Sequence, residues 1–269
     1  MKARIKFRKY GVMRFIGHLD VMRFFQKAIR RAEIPIAFTS GYSPHMIMSF
    51  AQPLGVGVTS DGEYFDIELT EAIASEQAVA QLNAVMVEGI EVTGFREISS
   101  DKKASGMTIV AAADYKVTQP QTFQHAEDIR VLSAKWKDSV CAFMKEPQII
   151  VWKKTKRSEK EVDILPMIYQ MEVRDQGIFM QLAAGSAENL KPNLVMEAFV
   201  KYLGEEETYR EIEYQFHRLE MYADMGKDER KLVSLESLGH EIMEEMADPK
   251  ERTESAESSA GCEGTGNGQ

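Results

Sequence analysis

Apolar positions along the chain change their period several times, and each change marks an element. In Ala3–Lys9, Ile5 and Phe7 alternate with Arg4, Lys6 and Arg8, the two-residue period of a strand with one apolar and one basic face. Past Gly17 the period lengthens. Leu19, Met22, Phe25, Ile29 and Ala32 recur at three- and four-residue steps and predict a helix over His18–Glu33, ended by Pro35. Arg23, Lys27, Arg30 and Arg31 fall on its other side. Ile36–Phe38 and Met46–Phe50 read as short strands on either side of the turn Gly41-Tyr42-Ser43-Pro44. Glu63–Thr70 alternates again, Ser75–Met86 reads as a helix, and Ile90–Ile98 as a strand.

The polar stretch Ser99–Gly106 interrupts the pattern, and beyond it the order recurs. A strand is expected over Ala113–Thr118 and a helix over Ala126–Lys145, with Ile129, Leu132, Trp136, Val140 and Phe143 on one face. Gln148–Trp152 reads as a strand, and Met167–Val173 with Ile178–Ala183 as a hairpin. Pro192 suits the first turn of a helix over Asn193–Leu203, and Ile212–Tyr222 closes as a strand.

The expected fold is therefore α+β: two tandem ferredoxin-like (βαββαβ) halves, a basic one over residues 1–98 and a second over residues 107–222. Residues 223–269 are expected to add an acidic C-terminal helix and a disordered tail. The helix would run over 227–246, with Leu232, Leu235, Leu238, Ile242 and Met246 on its apolar side. From Asp248 the chain has almost nothing to bury.

Composition narrows the function classes. The 269 residues are 44% hydrophobic, enough for a sizeable core, yet no apolar run is long enough for a membrane helix. The basic start has no apolar segment behind it, so no secretory signal is expected. Cys141 and Cys262, far apart, exclude a disulfide framework and point to a reducing cytoplasm. No cofactor and no metal ligand set is expected. The net charge of −9 conceals an asymmetry: ten Lys/Arg against Asp20 and Glu33 in residues 1–60, but eighteen acids against seven bases in residues 204–269. Local clusters set local potential, so an anionic partner remains compatible with the acidic total.

Two basic elements are candidate RNA-binding surfaces. Arg4, Lys6 and Arg8 share a strand face, and Arg23, Lys27, Arg30 and Arg31 a helix side, with Tyr10, Phe15 and Tyr42 available to stack on bases. The second element is Lys153–Lys160, read as a loop, where Lys153, Lys154, Lys156 and Arg157 could clamp phosphate. Catalytic candidates are weaker. His18 and Tyr10, with Asp20 and His45, could supply the acid and base of RNA cleavage through the 2′-hydroxyl, although Asp20 also suits the positive end of a helix.

A linked series of motifs carries a resemblance. It comprises Arg4-Ile5-Lys6-Phe7, Phe15-Ile16-Gly17-His18-Leu19-Asp20, Ala28–Pro35, Ser40–His45, Pro53-Leu54-Gly55-Val56-Gly57 and Ser60-Asp61-Gly62-Glu63-Tyr64. Over roughly residues 1–222 the chain resembles the radical-SAM-linked protein family, a domain of unknown function found alone or attached to radical SAM enzymes. The resemblance implies a radical SAM enzyme as partner and, through gene neighbours that often include a ribonuclease and ribosomal proteins, an RNA context. A radical SAM cluster needs three closely spaced cysteines, which two distant ones cannot supply, so the chain is not expected to be that catalyst. The expected function is a non-catalytic accessory protein that binds RNA beside a radical SAM enzyme. The alternatives are a metal-independent endoribonuclease and a protein-interaction subunit without RNA binding.

Overall fold

A computed structural model describes residues 1–119, 136–154, 159–174, 177–207, 209–211 and 214–244. Alternation in Lys2–Lys9 does form a strand, β1, and the lengthened period forms a helix, α1, over His18–Arg31. The first half continues with β2 (Met48–Phe50), β3 (Thr59–Glu68), α2 (Ser75–Asn83) and β4 (Ile90–Ile98). The one-turn helix α3 (Gly106–Ile109) leads into β5 (Val110–Thr118). A helix, α4, has residues 136–143 described. Then follow β6 (Ile150–Lys154), β7 (Glu159–Asp163), β8 (Ile168–Arg174), β9 (Gly177–Ala183), α5 (Pro192–Tyr202), β10 (Gln215–Asp224) and β11 (Leu232–Ser234).

Nine strands join in one sheet of order β4-β1-β3-β10-β5-β9-β8, with β2 on β3 and β11 on β10. All pairings are antiparallel except β3 with β10, which touch in parallel at Thr59–His217 and Ser60–Arg218. The protein is thus mixed α/β, with a large, mostly antiparallel sheet and few helices. Its apolar interior forms two clusters. In one, Ala3, Ile5 and Phe7 of β1 meet Val21, Phe25 and Ile29 of α1 and Ala78 and Leu82 of α2. In the other, Ala113, Tyr115, Val117 and Met180 meet Trp136, Val140, Val195 and Phe199.

Several expectations are corrected. Leu19 is exposed, and the buried stripe of α1 is Val21, Phe25, Ala28 and Ile29, because Val21 lies one full turn before Phe25. The strand expected over Gln148–Trp152 forms as β6, but among the described residues it pairs with β7 in a separate ribbon and not with the main sheet. The expected loop at Lys153–Lys160 is partly strand, since Lys153 pairs with Lys160 and Lys154 with Glu159. Of the helix expected over Ala126–Lys145, residues 126–135 lie outside the described residues.

The acidic helix expected over 227–246 is also corrected. Leu232–Ser234 is a strand, Glu236–Leu238 a single 3-10 turn, and His240 bridges to Glu97 of β4. Residues 232–242 form a strap from β10 across to the far edge of the first half. Leu235 is buried with the second cluster, and Ile242 with the first. Ile242 accepts the Ser75 N–H at its carbonyl at 2.9 Å and donates its own N–H to Ser75 Oγ at 2.8 Å. Gly239 lets the strap lie close, since a Cβ there would stand 2.8 Å from Arg96 Cβ. Of the tail expected to be disordered, residues 245–269 lie outside the described residues.

Candidate functional site

Arg4, Lys6 and Arg8 of β1 point away from the core under α1 and α2; the strap covers Arg4 and Lys6, and Glu220 of β10 reaches Lys6. Arg4 is 2% exposed and makes a two-pronged ion pair with Asp66, its register partner on β3, at 2.8 and 3.0 Å. It also donates to the carbonyls of Leu235 and Ala104, and Gly106 N–H completes Asp66 at 2.7 Å. Lys6 sits between Glu220 (2.9 Å) and Glu236 (2.8 Å). Burial alone would lower its pKa, but hydrogen bonds to the two carboxylates outweigh that and raise it. Arg8 reaches Asp61 and Glu91 at 2.8 and 3.1 Å. On the strand face expected to be open to RNA, Arg4 and Lys6 are instead held in an internal ion-pair layer, while Arg8 and its partners stay part-exposed at the rim. This removes Arg4 and Lys6 from any phosphate-binding surface.

The cations of α1 have the opposite fate. Arg23, Lys27, Arg30 and Arg31 are all exposed on the face opposite the buried stripe. Arg23 makes a solvent-facing contact with Asp20 at 3.3 Å, and Arg31 donates to the Val85 carbonyl. Lys27 and Arg30 have no ion-pair partner among the described residues. Leu19 (59% exposed) heads the same row, four residues before Arg23. Val12 and Phe15 are exposed in the preceding turn, and Val56 in a loop tied to that turn by Gly57 N–H to Arg14 O at 2.8 Å. Tyr42 is fully exposed, whereas Tyr10 lies against Arg8, 5.3 Å from guanidinium carbon to ring centre. Lys153 and Lys154 lie in β6, and Lys156 and Arg157 lie outside the described residues.

The catalytic candidates are not brought together. The His18 ring packs edge-on against Phe50 at 5.0 Å, and burial lowers its pKa. Asp20 faces Arg23, and His45 is held by Thr39 at 3.1 Å. Among the described residues no hydrogen bond links His18, Tyr10, Asp20 and His45.

A charged cluster that the sequence reading missed lies where the halves meet. Glu63, paired in register with Phe7, shares the helix-covered side of the sheet and is 3% exposed. Arg218 of β10, also 3% exposed, holds both its oxygens at 3.0 and 3.2 Å and donates from Nε to Tyr115 OH. A bulge in β10 between Arg218 and Glu220 sends these neighbours to opposite faces, Arg218 to Glu63 and Glu220 to Tyr64 and Lys6. Gly62 permits that crossing, because a Cβ there would stand 2.7 Å from Leu219 O. Lys9, 1% exposed, donates to Ile16 O at 3.0 Å. Its pKa is lowered by burial and by Arg218, with Glu63 opposing. Burial drives the Glu63 carboxyl up against the pull of Arg218. The motif Ser60–Tyr64 was the available signal for Glu63. Nothing local marked Arg218, 155 residues away.

Fold and cluster together define a mixed α/β protein with two charged layers on its central sheet and one open basic helix face. The chain belongs to the family described as an uncharacterized protein conserved in bacteria (DUF2344), whose model matches residues 2–192. No curated protein matches the chain. Among the described residues, no helix is long and apolar enough to cross a membrane.

Proposed function

We propose that this protein is a non-catalytic accessory module of the cytoplasm that binds RNA along α1 and works beside a radical SAM enzyme. One observation carries the RNA part: Arg23, Lys27, Arg30 and Arg31 all stand on one exposed helix face, while Arg4 and Lys6 of β1 are held in buried ion pairs. Four cations on one face can track a phosphodiester backbone, and exposed Tyr42 in a nearby stretch of chain can stack on a base. The strand orders β4-β1-β3-β2 and β10-β5-β9-β8 support reading each half as a ferredoxin-like unit, a fold that presents such surfaces in RNA-binding proteins.

The enzyme partner follows from the N-terminal motif series. Its docking place is the apolar group Val12, Phe15, Leu19 and Val56, exposed at the head of the basic row. The test is a pair of variants in protein recovered from cells after ultraviolet crosslinking. Arg23→Glu, Lys27→Glu and Arg30→Glu together should abolish RNA recovery and leave the enzyme bound. Phe15→Asp with Leu19→Asp should do the reverse. RNA recovery undiminished by the triple variant would overturn the RNA reading.

A further inference from the structure

A cleft of about 250 Å³ opens between the Gln52–Val56 loop of the first half and the start of α5 in the second, with Arg218 and Tyr115 in its lining. We propose that this cleft binds a small organic anion, a phosphate or carboxylate attached to a flat or apolar body that carries hydrogen-bond donors. This is a site separate from the α1 face, and it does not depend on RNA binding.

Three observations support it. First, Arg218 is 97% buried and lines the cleft; its bonds to Tyr115, Glu63, Gln52 and Met221 run through Nε and Nη1, and among the described residues Nη2 makes none. Lys9 stands beside the Arg218–Glu63 pair as a second basic group.

Second, the eleven-residue α5 begins at the cleft without a side-chain cap and without an acid in its first turn. Lys191, Pro192 and Asn193 all line the cleft, and the Asn193 N–H has no partner among the described residues. An uncapped helix start beside a buried guanidinium attracts negative charge by the free Asn193 N–H and the helix dipole.

Third, the remaining lining suits the rest of such a molecule. Pro53, Leu54, Val56 and Tyr115 are apolar or flat, while Glu211 and the shielded Oε1 of Gln52 are acceptors. The unpartnered Gln52 oxygen calls for an N–H or O–H donor on the ligand. Glu211 opposes a highly charged anion and favours one compact acidic group. A pocket of this size with few convergent polar groups is of small-molecule dimensions.

The test uses the full chain and amide NMR titrations with phenyl phosphate, benzoate and inorganic phosphate. The expected result is saturable shifts at Asn193, Leu194 and Val195 with phenyl phosphate or benzoate, at concentrations about tenfold below those needed with inorganic phosphate. Whichever of the two binds tighter identifies the acidic group. Arg218→Gln could unfold the protein by stranding Glu63, so the decisive variant is Asn193→Asp. It places a carboxylate where α5 tolerates one, and should leave the melting temperature unchanged or raised while weakening binding tenfold or more. No saturable shift with any of the three up to about 50 mM, or equal binding by Asn193→Asp, would overturn the proposal. The α1 triple variant should bind these anions as wild type does, which separates this outcome from that of the RNA reading.

Discussion

Two sets of cations stand within the first 31 residues at regular spacing, and the fold uses them in opposite ways. Arg4, Lys6 and Arg8 alternate along β1 and are paired with Asp66, Glu220, Glu236 and Asp61, contributed from 53 to 230 residues further on, with Arg4 and Lys6 enclosed. Arg23, Lys27 and Arg30 follow the helical period of α1 and stay in solvent. The difference lies in what covers each face. A strand face in a sheet can be roofed by a distant segment, whereas the outer face of a helix packed on that sheet has nothing above it. Regular cation spacing therefore reports a common face and says nothing about whether that face is open.

The contrast can be broken most severely at Arg4. Arg4→Ala leaves Asp66 buried and uncompensated and should cost about 3–5 kcal/mol, read from urea unfolding. Replacing both partners, Arg4→Met with Asp66→Leu, should recover most of that loss, because the penalty comes from the stranded charge. Leu235→Ala attacks the roof: its side chain is wholly buried, and its loss should cost about 3 kcal/mol. That variant should also speed hydrogen exchange in β4 and β11 ahead of β5 and β9.

Glu236→Gln sharpens the comparison through pH. Burial alone would raise the Glu236 pKa, but the hydrogen bond and charge of Lys6, with Arg96, outweigh it and hold the carboxyl below its ordinary 4.5. The stabilisation is thus complete above that value and is lost as pH falls through the depressed folded value. Glu236→Gln should cost about 1 kcal/mol at pH 7, discounted for partial exposure, and the gap to wild type should close in acid. At the other end stand Arg23→Glu and Lys27→Glu. Each should change stability by no more than about 0.5 kcal/mol, and urea midpoints should hardly move even as RNA retention falls.

Local periodicity carried the elements well, because each strand or helix buries its own stripe. It failed where the partner is remote. Leu19 and Val21 both fit a helical stripe around Phe25, and only packing against β1 selects Val21. Leu232, Leu235, Leu238 and Ile242 have helical spacing, yet Leu235 serves one core and Ile242 the other. Their spacing matches the span between two cores rather than the turn of a helix. The same holds for the charged junction: Glu63 stood in a recognised motif, but its role depends on Arg218 from the far half of the chain. The open α1 cations were readable because their surroundings are local.

The strap also sets an order of events during synthesis. By the time β4 is complete at Ile98, the first half has all its apolar partners except Ile242, but Arg4 and Lys6 still lack Leu235 and Glu236. Translating the intervening chain at about 5–20 residues per second leaves that polar face uncovered for on the order of ten seconds. During that interval Arg4 has only its partner Asp66 from the first half, and Lys6 waits for both of its carboxylates.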